Sequence, residues 1–147
     1  MTGACPECGA PVAAAGSCLD LFHALLLLEG DVPGAPGSIL HFYAVAAYAL
    51  QHPDGMNYRA DVLAGLRVSV ADALDGRADL AELRRRARAF DGPARVVRRP
   101  GDEAVPWRRG GWPMTVVDVI NGGVDSYPDL VTRWAASVRE TLDADAG

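Results

Sequence analysis

The apolar residues of this chain recur over most of its length at the three- and four-residue spacing of helices that bury one face. Phe22, Leu25 and Leu28, for example, fall on one side of a helix predicted over residues 18–29. The same spacing predicts further helices along the chain. They cover residues 38–52, 58–75, 79–90, 115–120 and 127–142.

Polar caps and helix breakers mark the ends of these helices. Ser17, Ser38 and Thr115 stand where a side-chain hydroxyl can accept a hydrogen bond from the free backbone N–H groups of a first turn. Pro53 ends the second helix because proline disfavours helical geometry in the residue before it. Gly76 follows the third helix as a C-terminal stop.

Two stretches show no such period. Residues 1–16 contain two Pro and three Gly and predict a knuckle-like loop, whereas residues 91–114 are irregular, with a short strand over 95–99. We therefore predict an all-α fold, a bundle of about five helices with an N-terminal knuckle and an irregular Arg-rich insertion. A single domain over 1–147 would comprise the knuckle (1–16), a four-helix core (17–90), the irregular segment (91–114) and the C-terminal helices (115–147).

The composition places the chain among ordinary globular proteins. Half of its 147 residues are hydrophobic and 22% are charged. No apolar run approaches the roughly 20 residues that a membrane span needs, and no signal peptide is evident. We therefore expect a cytoplasmic protein with no membrane partner. The absence of Lys and the many Ala residues suggest a GC-rich bacterial genome.

Three cysteines lie within the first eighteen residues, as Cys5, Cys8 and Cys18. An odd number is poor material for disulfides, and in a reducing cytosol such a cluster indicates metal binding or catalysis. Cys5 and Cys8 have the Cys-x2-Cys spacing at which two thiolates can meet one tetrahedral ion. The alternatives are unrelated reduced cysteines or a redox dithiol. A dithiol is expected at the start of a helix that follows a strand, and no strand is predicted here.

Cys18, His23, His41 and His52 are the candidates for completing a metal shell. The short, Pro- and Gly-rich connection over 30–37 makes helices 18–29 and 38–52 antiparallel neighbours.

Pairing around residue 34 brings His52 beside Cys18, whereas His41 lies about 16 Å away along its own helix. Cys18 and His23 point in directions about 140° apart on theirs. The preferred shell is therefore Cys5, Cys8, Cys18 and His52, and soft thiolates with one imidazole favour zinc. Alternatively, His52 is a helix-terminal histidine whose charge suits the helix dipole.

Several short motifs accompany these residues. Residues 5–9 read Cys-Pro-Glu-Cys-Gly, and residues 48–53 read Tyr-Ala-Leu-Gln-His-Pro. Residues 115–119 read Thr-Val-Val-Asp-Val, and residues 134–138 read Trp-Ala-Ala-Ser-Val. This combination resembles a bacterial family of uncharacterised proteins of unknown function. The resemblance implies that Cys5, Cys8, Cys18 and His52 belong together; it adds His41, does not include His23, and implies no reaction.

His41 near the start of the second helix and Glu29 near the end of the first form the weak candidate for catalysis. A histidine and a carboxylate that face each other can do acid–base work. The alternative is a core or capping histidine with a hydrogen-bond partner.

Nine of the 14 Arg residues lie between residues 84 and 109, where three acidic residues leave a charge of +6 against −11 for the rest of the chain. Aromatic and basic residues alternate at the end of this stretch and could bind a phosphate or stack a ring. The alternative is a solvated face paired with the acidic remainder of the domain. The candidate ligand-binding residues are Arg98, Arg99, Trp107, Arg108, Arg109 and Trp112.

These features support three functional hypotheses. The preferred one is a small zinc-stabilised domain that acts through an anionic ligand or a protein partner. The second is an enzyme, with a pocket near His41 and the Trp/Arg loop or with an open catalytic zinc. The third, a nucleic-acid-binding regulator, is disfavoured by the net charge of −5.

Overall fold

A computed structural model describes residues 2–13, 17–89 and 96–146. It is predominantly helical, as the sequence predicted. The elements in chain order are β1 (Thr2–Ala4), β2 (Pro11–Ala13), α1 (Cys18–Glu29), α2 (Ile39–Gln51), α3 (Pro53–Met56), α4 (Ala60–Leu74), α5 (Leu80–Arg88), α6 (Val116–Asn121) and α7 (Gly123–Ala146).

The predicted caps hold the helix ends. Ser17 accepts a hydrogen bond from the Asp20 N–H while the Asp20 carboxylate accepts one from the Ser17 N–H, so α1 begins with a capping box. Thr115 and Asp118 form the same arrangement at α6. Ser38 accepts from the N–H of Leu40 at the start of α2.

Three local features differ from the predicted elements or were not predicted. Residues 2–4 and 11–13 form an antiparallel β-hairpin where a loop was predicted. A four-residue helix, α3, begins directly at Pro53, because the fixed φ of proline suits the first position of a helix. The last helix begins at Gly123 and continues through Pro128, so the prediction that it starts at Tyr127 was too late. Burial of Tyr127 favours this extension over the break that proline usually causes.

Helix α2 is the centre of the bundle and packs against α4 and α7, while α1 packs against α6 and α7. The amide of Gln51, fully buried, fastens α2 to its neighbours. It donates to the Met114 carbonyl oxygen at 2.7 Å and accepts from the indole N–H of Trp134 at 3.2 Å. A buried amide is tolerated only when its donors and acceptors are satisfied, as here.

Helices α1 and α2 form the predicted antiparallel pair. Phe22 stacks on Tyr48 with ring centroids 4.1 Å apart, and Glu29 bonds His41 at 2.7 Å. Both pairs centre on residue 35, one residue from the predicted centre. Cys18 and His52 therefore lie at one end of the pair and Glu29 and His41 at the other.

The irregular segment is tied to α3 and its flank. Tyr58 and Val97 form an isolated antiparallel bridge, which is all that the described residues show of the strand predicted over 95–99; Arg95 lies outside them. None of the helices in the described part of the chain is long and apolar enough to cross a membrane.

Candidate metal centre

The β-hairpin, α1 and α2 each contribute to one cluster. Cys5 and Cys8 lie in the turn between β1 and β2, Cys18 is the first residue of α1, and His52 directly follows α2. Gly9 closes the turn with φ +82°, a conformation that disfavours any residue with a Cβ. Its N–H donates to the Cys5 carbonyl at 2.8 Å.

The ligand atoms of Cys5, Cys8, Cys18 and His52 all lie within 4.8 Å of one another, and all four residues are buried. The Cys8 and Cys18 sulfur atoms are 3.6 Å apart. Two thiolates on one tetrahedral zinc ion would be about 3.8 Å apart, given Zn–S bonds near 2.3 Å. The cluster could therefore hold a metal ion.

The imidazole of His52 is oriented for such a role. Its Nδ1–H donates to the Tyr48 carbonyl oxygen at 2.7 Å, which fixes the tautomer and leaves a lone pair on Nε2. That Nε2 atom is buried and has no hydrogen-bond partner among the described residues. A buried polar atom without a partner is rare, and it needs an explanation.

The Cys8 and Cys18 thiols shift each other's pKa strongly. A hydrogen bond from Cys18 lowers the pKa of Cys8 to about 4, with smaller help from His52 and the Ala10 N–H. The pKa of Cys18 is raised by its bond to Cys8 and by burial. Deprotonation of Cys8 is therefore favoured, whereas deprotonation of Cys18 is opposed. A divalent cation would remove that opposition, because it neutralises the second thiolate.

Two aromatic side chains support the histidine. Tyr48 lies between the ring of Phe22 and the imidazole of His52, which it stacks at 3.9 Å. Burial raises the pKa of Tyr48, and the neighbouring cysteines raise it further, so the phenol stays neutral. Phe22 and Tyr48 were not predicted as site residues, although Tyr48 precedes His52 by one helical turn.

Glu7, between the two cysteines, was also not identified. Its carboxylate accepts the backbone N–H groups of Asp54 and Gly55 at 2.8 and 3.0 Å, and its carbonyl accepts that of Gly110. These bonds attach the cysteine turn to the start of α3, directly after His52. Its position inside the Cys-x2-Cys motif was the one sequence feature that could have indicated a role at this site.

The presence of β1 corrects one step of the redox argument, since a strand does precede the cysteine pair. No helix starts at the pair, however, because the chain turns at residues 6–8 and continues into β2. A redox dithiol is expected at a helix start.

The basic residues predicted to bind a ligand mostly bond within the chain. Arg98 and Arg109 both donate to the Asp54 carboxylate, which holds the pKa of Asp54 below its usual range. Arg108 donates to Asp145 and lies 5.8 Å from the centre of the buried Trp112 ring. Two predicted residues remain. The backbone N–H of Arg99 donates to the Asp102 carboxylate, and Trp107 is half-buried.

The predicted pairing of His41 with Glu29 is present at the other end of α2. The buried Glu29 carboxylate accepts from His41 Nδ1 at 2.7 Å and from the Tyr127 hydroxyl at 2.6 Å. His41 lines a groove of about 810 Å³, to which the Trp/Arg loop does not contribute. The structure therefore does not bring these two candidate regions together. His23 is exposed and lies outside the metal cluster.

The sequence model of one protein family matches residues 3–143 and is described as "Family of unknown function (DUF5946)". Neither a curated protein nor a solved structure matches the chain. The family match spans both the cysteine–histidine cluster and the groove at His41, but it attaches no activity to either.

Proposed function

The chain belongs to this family of unknown function, and from that premise we propose that it is a small zinc-stabilised cytosolic domain. Cys5, Cys8, Cys18 and His52 would hold one zinc ion, and the domain would act through an anionic ligand or a protein partner. Two observations on His52 carry the proposal. A ligand atom of its imidazole lies within 4.8 Å of the sulfur atoms of the three buried cysteines, and its buried Nε2 atom has no hydrogen-bond partner in the part of the chain that the structure describes.

The donor set favours zinc among the common biological ions. Thiolate sulfur and imidazole nitrogen suit zinc, whereas calcium and magnesium prefer oxygen. Four protein donors fill a tetrahedral shell and leave no position for substrate, which is the pattern of a structural site. A cluster of reduced thiols also suits the cytosol better than an oxidising compartment.

The site would act by joining segments that are distant in sequence. It connects the β-hairpin to the start of α1 and the end of α2, and its metal-binding free energy would contribute to folding. Its supports, Tyr48 stacking and the Glu7 bonds to α3, would orient the ligands without touching the ion.

Metal analysis of the purified chain tests the proposal. We expect about one zinc per chain, and replacement by cobalt should give the visible absorption of a tetrahedral site with thiolate ligands. Folded protein that contains no metal and takes up no cobalt would refute it.

An open catalytic zinc is the second candidate. A cavity of about 330 Å³ borders Cys5, Cys18 and His52, and is far larger than a single water molecule requires. If one of the four ligands dissociated, solvent could reach the ion from this cavity. A change in the visible spectrum of the cobalt form on addition of azide or imidazole would favour this candidate, and an unchanged spectrum would favour the closed site.

Nucleic-acid binding has less support. Arg98, Arg108 and Arg109 are engaged with carboxylates of this same chain. Association with DNA or RNA would have to weaken steeply as salt is raised, because released counterions supply its free energy. Binding that shows this salt dependence would revive the hypothesis.

A further inference from the structure

The groove beside His41 has the dimensions of a small-molecule site. Its volume is about 810 Å³, within the range of roughly 300–1,000 Å³ that is usual for ligand pockets. It lies between α2, α4 and α5, and it runs along α2 from His41 to Ala49, about 12 Å of helix at 1.5 Å per residue. Its walls are aliphatic and aromatic, with Phe42, Val45 and Leu66 among them.

The ionisable side chains that line this groove are unusual for so acidic a chain. The protein has 19 acidic residues, yet none of the described residues that line the groove is Asp or Glu. The charged or chargeable nitrogen groups there are those of His41, Arg84 and Arg86. An apolar cavity with this lining favours an apolar molecule that carries a negative charge.

The unneutralised charge lies at one end. Arg86 is paired with Asp72 and Glu82. Arg84, in contrast, donates to the Gly37 carbonyl oxygen at 2.9 Å, and no carboxylate of the described residues lies within ion-pair distance of it. Gly37 precedes His41 by four residues, so Arg84 lies at the end of the groove where the imidazole is.

The His41 imidazole is held in place from behind. Glu29, which is 4% exposed, bonds Nδ1 of His41 and is itself fixed by the Tyr127 hydroxyl. Because Nδ1 is occupied, Nε2 is the ring nitrogen that remains for a ligand. A buried carboxylate that orients a half-exposed histidine at the mouth of a groove is an arrangement suited to binding a polar head group.

We propose that this groove binds an aliphatic or aromatic carboxylic acid, with its apolar body against α2 and α4 and its carboxylate between Arg84 and His41. The inference deepens the proposed function, since it rests on the hypothesis that the domain acts through an anionic ligand. It names that ligand's chemical class and its site.

Calorimetric titration of the zinc-loaded full chain with three probes of equal chain length tests the proposal. Octanoate, octanol and octylammonium share an apolar body and differ in charge. We expect one octanoate per chain, bound about tenfold or more tightly than octylammonium, because a hydrogen bond to a charged partner contributes on this order. Equal affinities for octanoate and octylammonium would overturn the proposal that the groove prefers a negatively charged head group.

Two neighbouring arginines provide a matched pair of variants. Arg84→Gln keeps an N–H donor for the Gly37 carbonyl but removes the charge, and should weaken octanoate about tenfold while leaving octanol unchanged. Arg85→Gln removes the same charge from a side chain that does not line the groove, and should change neither affinity. Equal losses in the two variants would refute a specific role of Arg84.

Filling the groove is the independent control. Val45→Trp should abolish binding of octanoate and octanol alike, and a folded Val45→Trp chain that still binds octanoate would overturn the proposal. If sedimentation shows a dimer that Val45→Trp disrupts while octanoate does not bind, the groove takes a second copy and the proposal is wrong. Zinc is measured in each sample, so failure to bind octanoate with zinc retained refutes the groove proposal alone.

Discussion

The two ends of α2 carry the same side chain in two different surroundings. At each end a histidine uses Nδ1 to bond an oxygen at 2.7 Å, the Tyr48 carbonyl for His52 and the Glu29 carboxylate for His41. Both imidazoles are therefore fixed in orientation, and in each the Nε2 atom is left to contact a different environment. For His52 that is a buried cluster of sulfur atoms, whereas the side chain of His41 is 45% exposed at a groove.

This difference indicates that the surroundings of the free nitrogen, and not the residue type, determine the role of a histidine. A nitrogen that is buried and unpartnered among thiols has few uses other than metal binding. A nitrogen that opens onto an apolar groove can contact a ligand instead. If the two ends are independent, a substitution at one end should leave the other end unchanged.

The largest effect is expected from Cys8→Ser. If the cluster holds structural zinc, the variant loses metal-binding free energy and should be less stable by at least about 3 kcal/mol throughout the fold. For a chain of this length the melting temperature should fall by about 10 °C. Thermal unfolding followed by circular dichroism measures this loss.

The parent protein treated with a chelator is the control for Cys8→Ser. It should melt close to the variant, because both lack the ion. A melt of Cys8→Ser that overlays the untreated parent would show that the cluster does not stabilise the fold. The difference drawn above between the His52 end and the His41 end of α2 would then be wrong.

The second prediction compares the histidines directly. His52→Ala should release zinc at a lower chelator concentration than the parent, whereas His41→Ala should retain it. The two side chains are about 16 Å apart along α2, so only one can reach an ion held by the cysteines. Zinc release, followed with a colorimetric indicator, provides the measurement.

The chain provides a third histidine as the control for this comparison. His23 is exposed on α1 and outside the cluster, so His23→Ala should behave as the parent. Loss of zinc from His41→Ala with retention in His52→Ala would contradict the ligand assignment. Retention in both variants would point to the open site that borders the cavity at Cys5.

The cluster could be foreseen because its determinants are local or set by simple geometry. The caps at Ser17 and Ser38 fix where α1 and α2 begin, and a short connection forces them to be antiparallel. With those two facts the register was predicted to within one residue. Helix periodicity then placed His41 and His52 at opposite ends.

Other features depend on tertiary contacts that leave little trace in the sequence. The strands β1 and β2 have three residues each and show no alternation of apolar and polar positions. Helix α7 passes through Pro128, because buried packing around Tyr127 outweighs the local break. The bond from Glu7 to α3 joins residues 47 positions apart, and no periodicity predicts it.

The third prediction concerns the His41 end. Glu29→Gln replaces one of the two acceptor oxygens by an amide donor, so His41 or Tyr127 must either lose its bond or change from donor to acceptor. We expect a loss of stability of about 1–2 kcal/mol, because one buried hydrogen bond to a charged group is weakened. Zinc retention should not change, since Glu29 lies at the far end of α2 from the cluster.

Tyr127→Phe is the matched variant for Glu29→Gln, since it removes one of the same two bonds and leaves the carboxylate. It should cost about 1 kcal/mol. Chemical denaturation of both variants, with zinc measured in parallel, tests the pair. A loss of zinc in Glu29→Gln would show that the two ends of α2 are coupled, contrary to the comparison above.

The smallest effect is expected from Asp54, whose carboxylate links the irregular segment to the start of α3, directly after His52. Asp54 accepts hydrogen bonds from Arg98 and Arg109, which lower its pKa in the folded chain. A lowered folded-state pKa stabilises the fold above the unfolded-state value of about 3.9, and the contribution disappears as pH falls through the folded value. Because the Asp54 side chain is 49% exposed, the contribution should be only a few tenths of a kcal/mol.

Asp54→Asn isolates this contribution from the protonation of the cysteines, which also destabilises the zinc-bound chain in acid. The stability difference between the parent and Asp54→Asn should be present at neutral pH. It should begin to shrink as pH falls below the unfolded-state pKa and should approach zero only below the lowered folded-state pKa, where both side chains are uncharged in the folded chain. High salt at neutral pH should shrink it as well, because exposed charges are screened. A difference that persists unchanged in acid would mean that Asp54 stabilises the fold through interactions that do not depend on its charge.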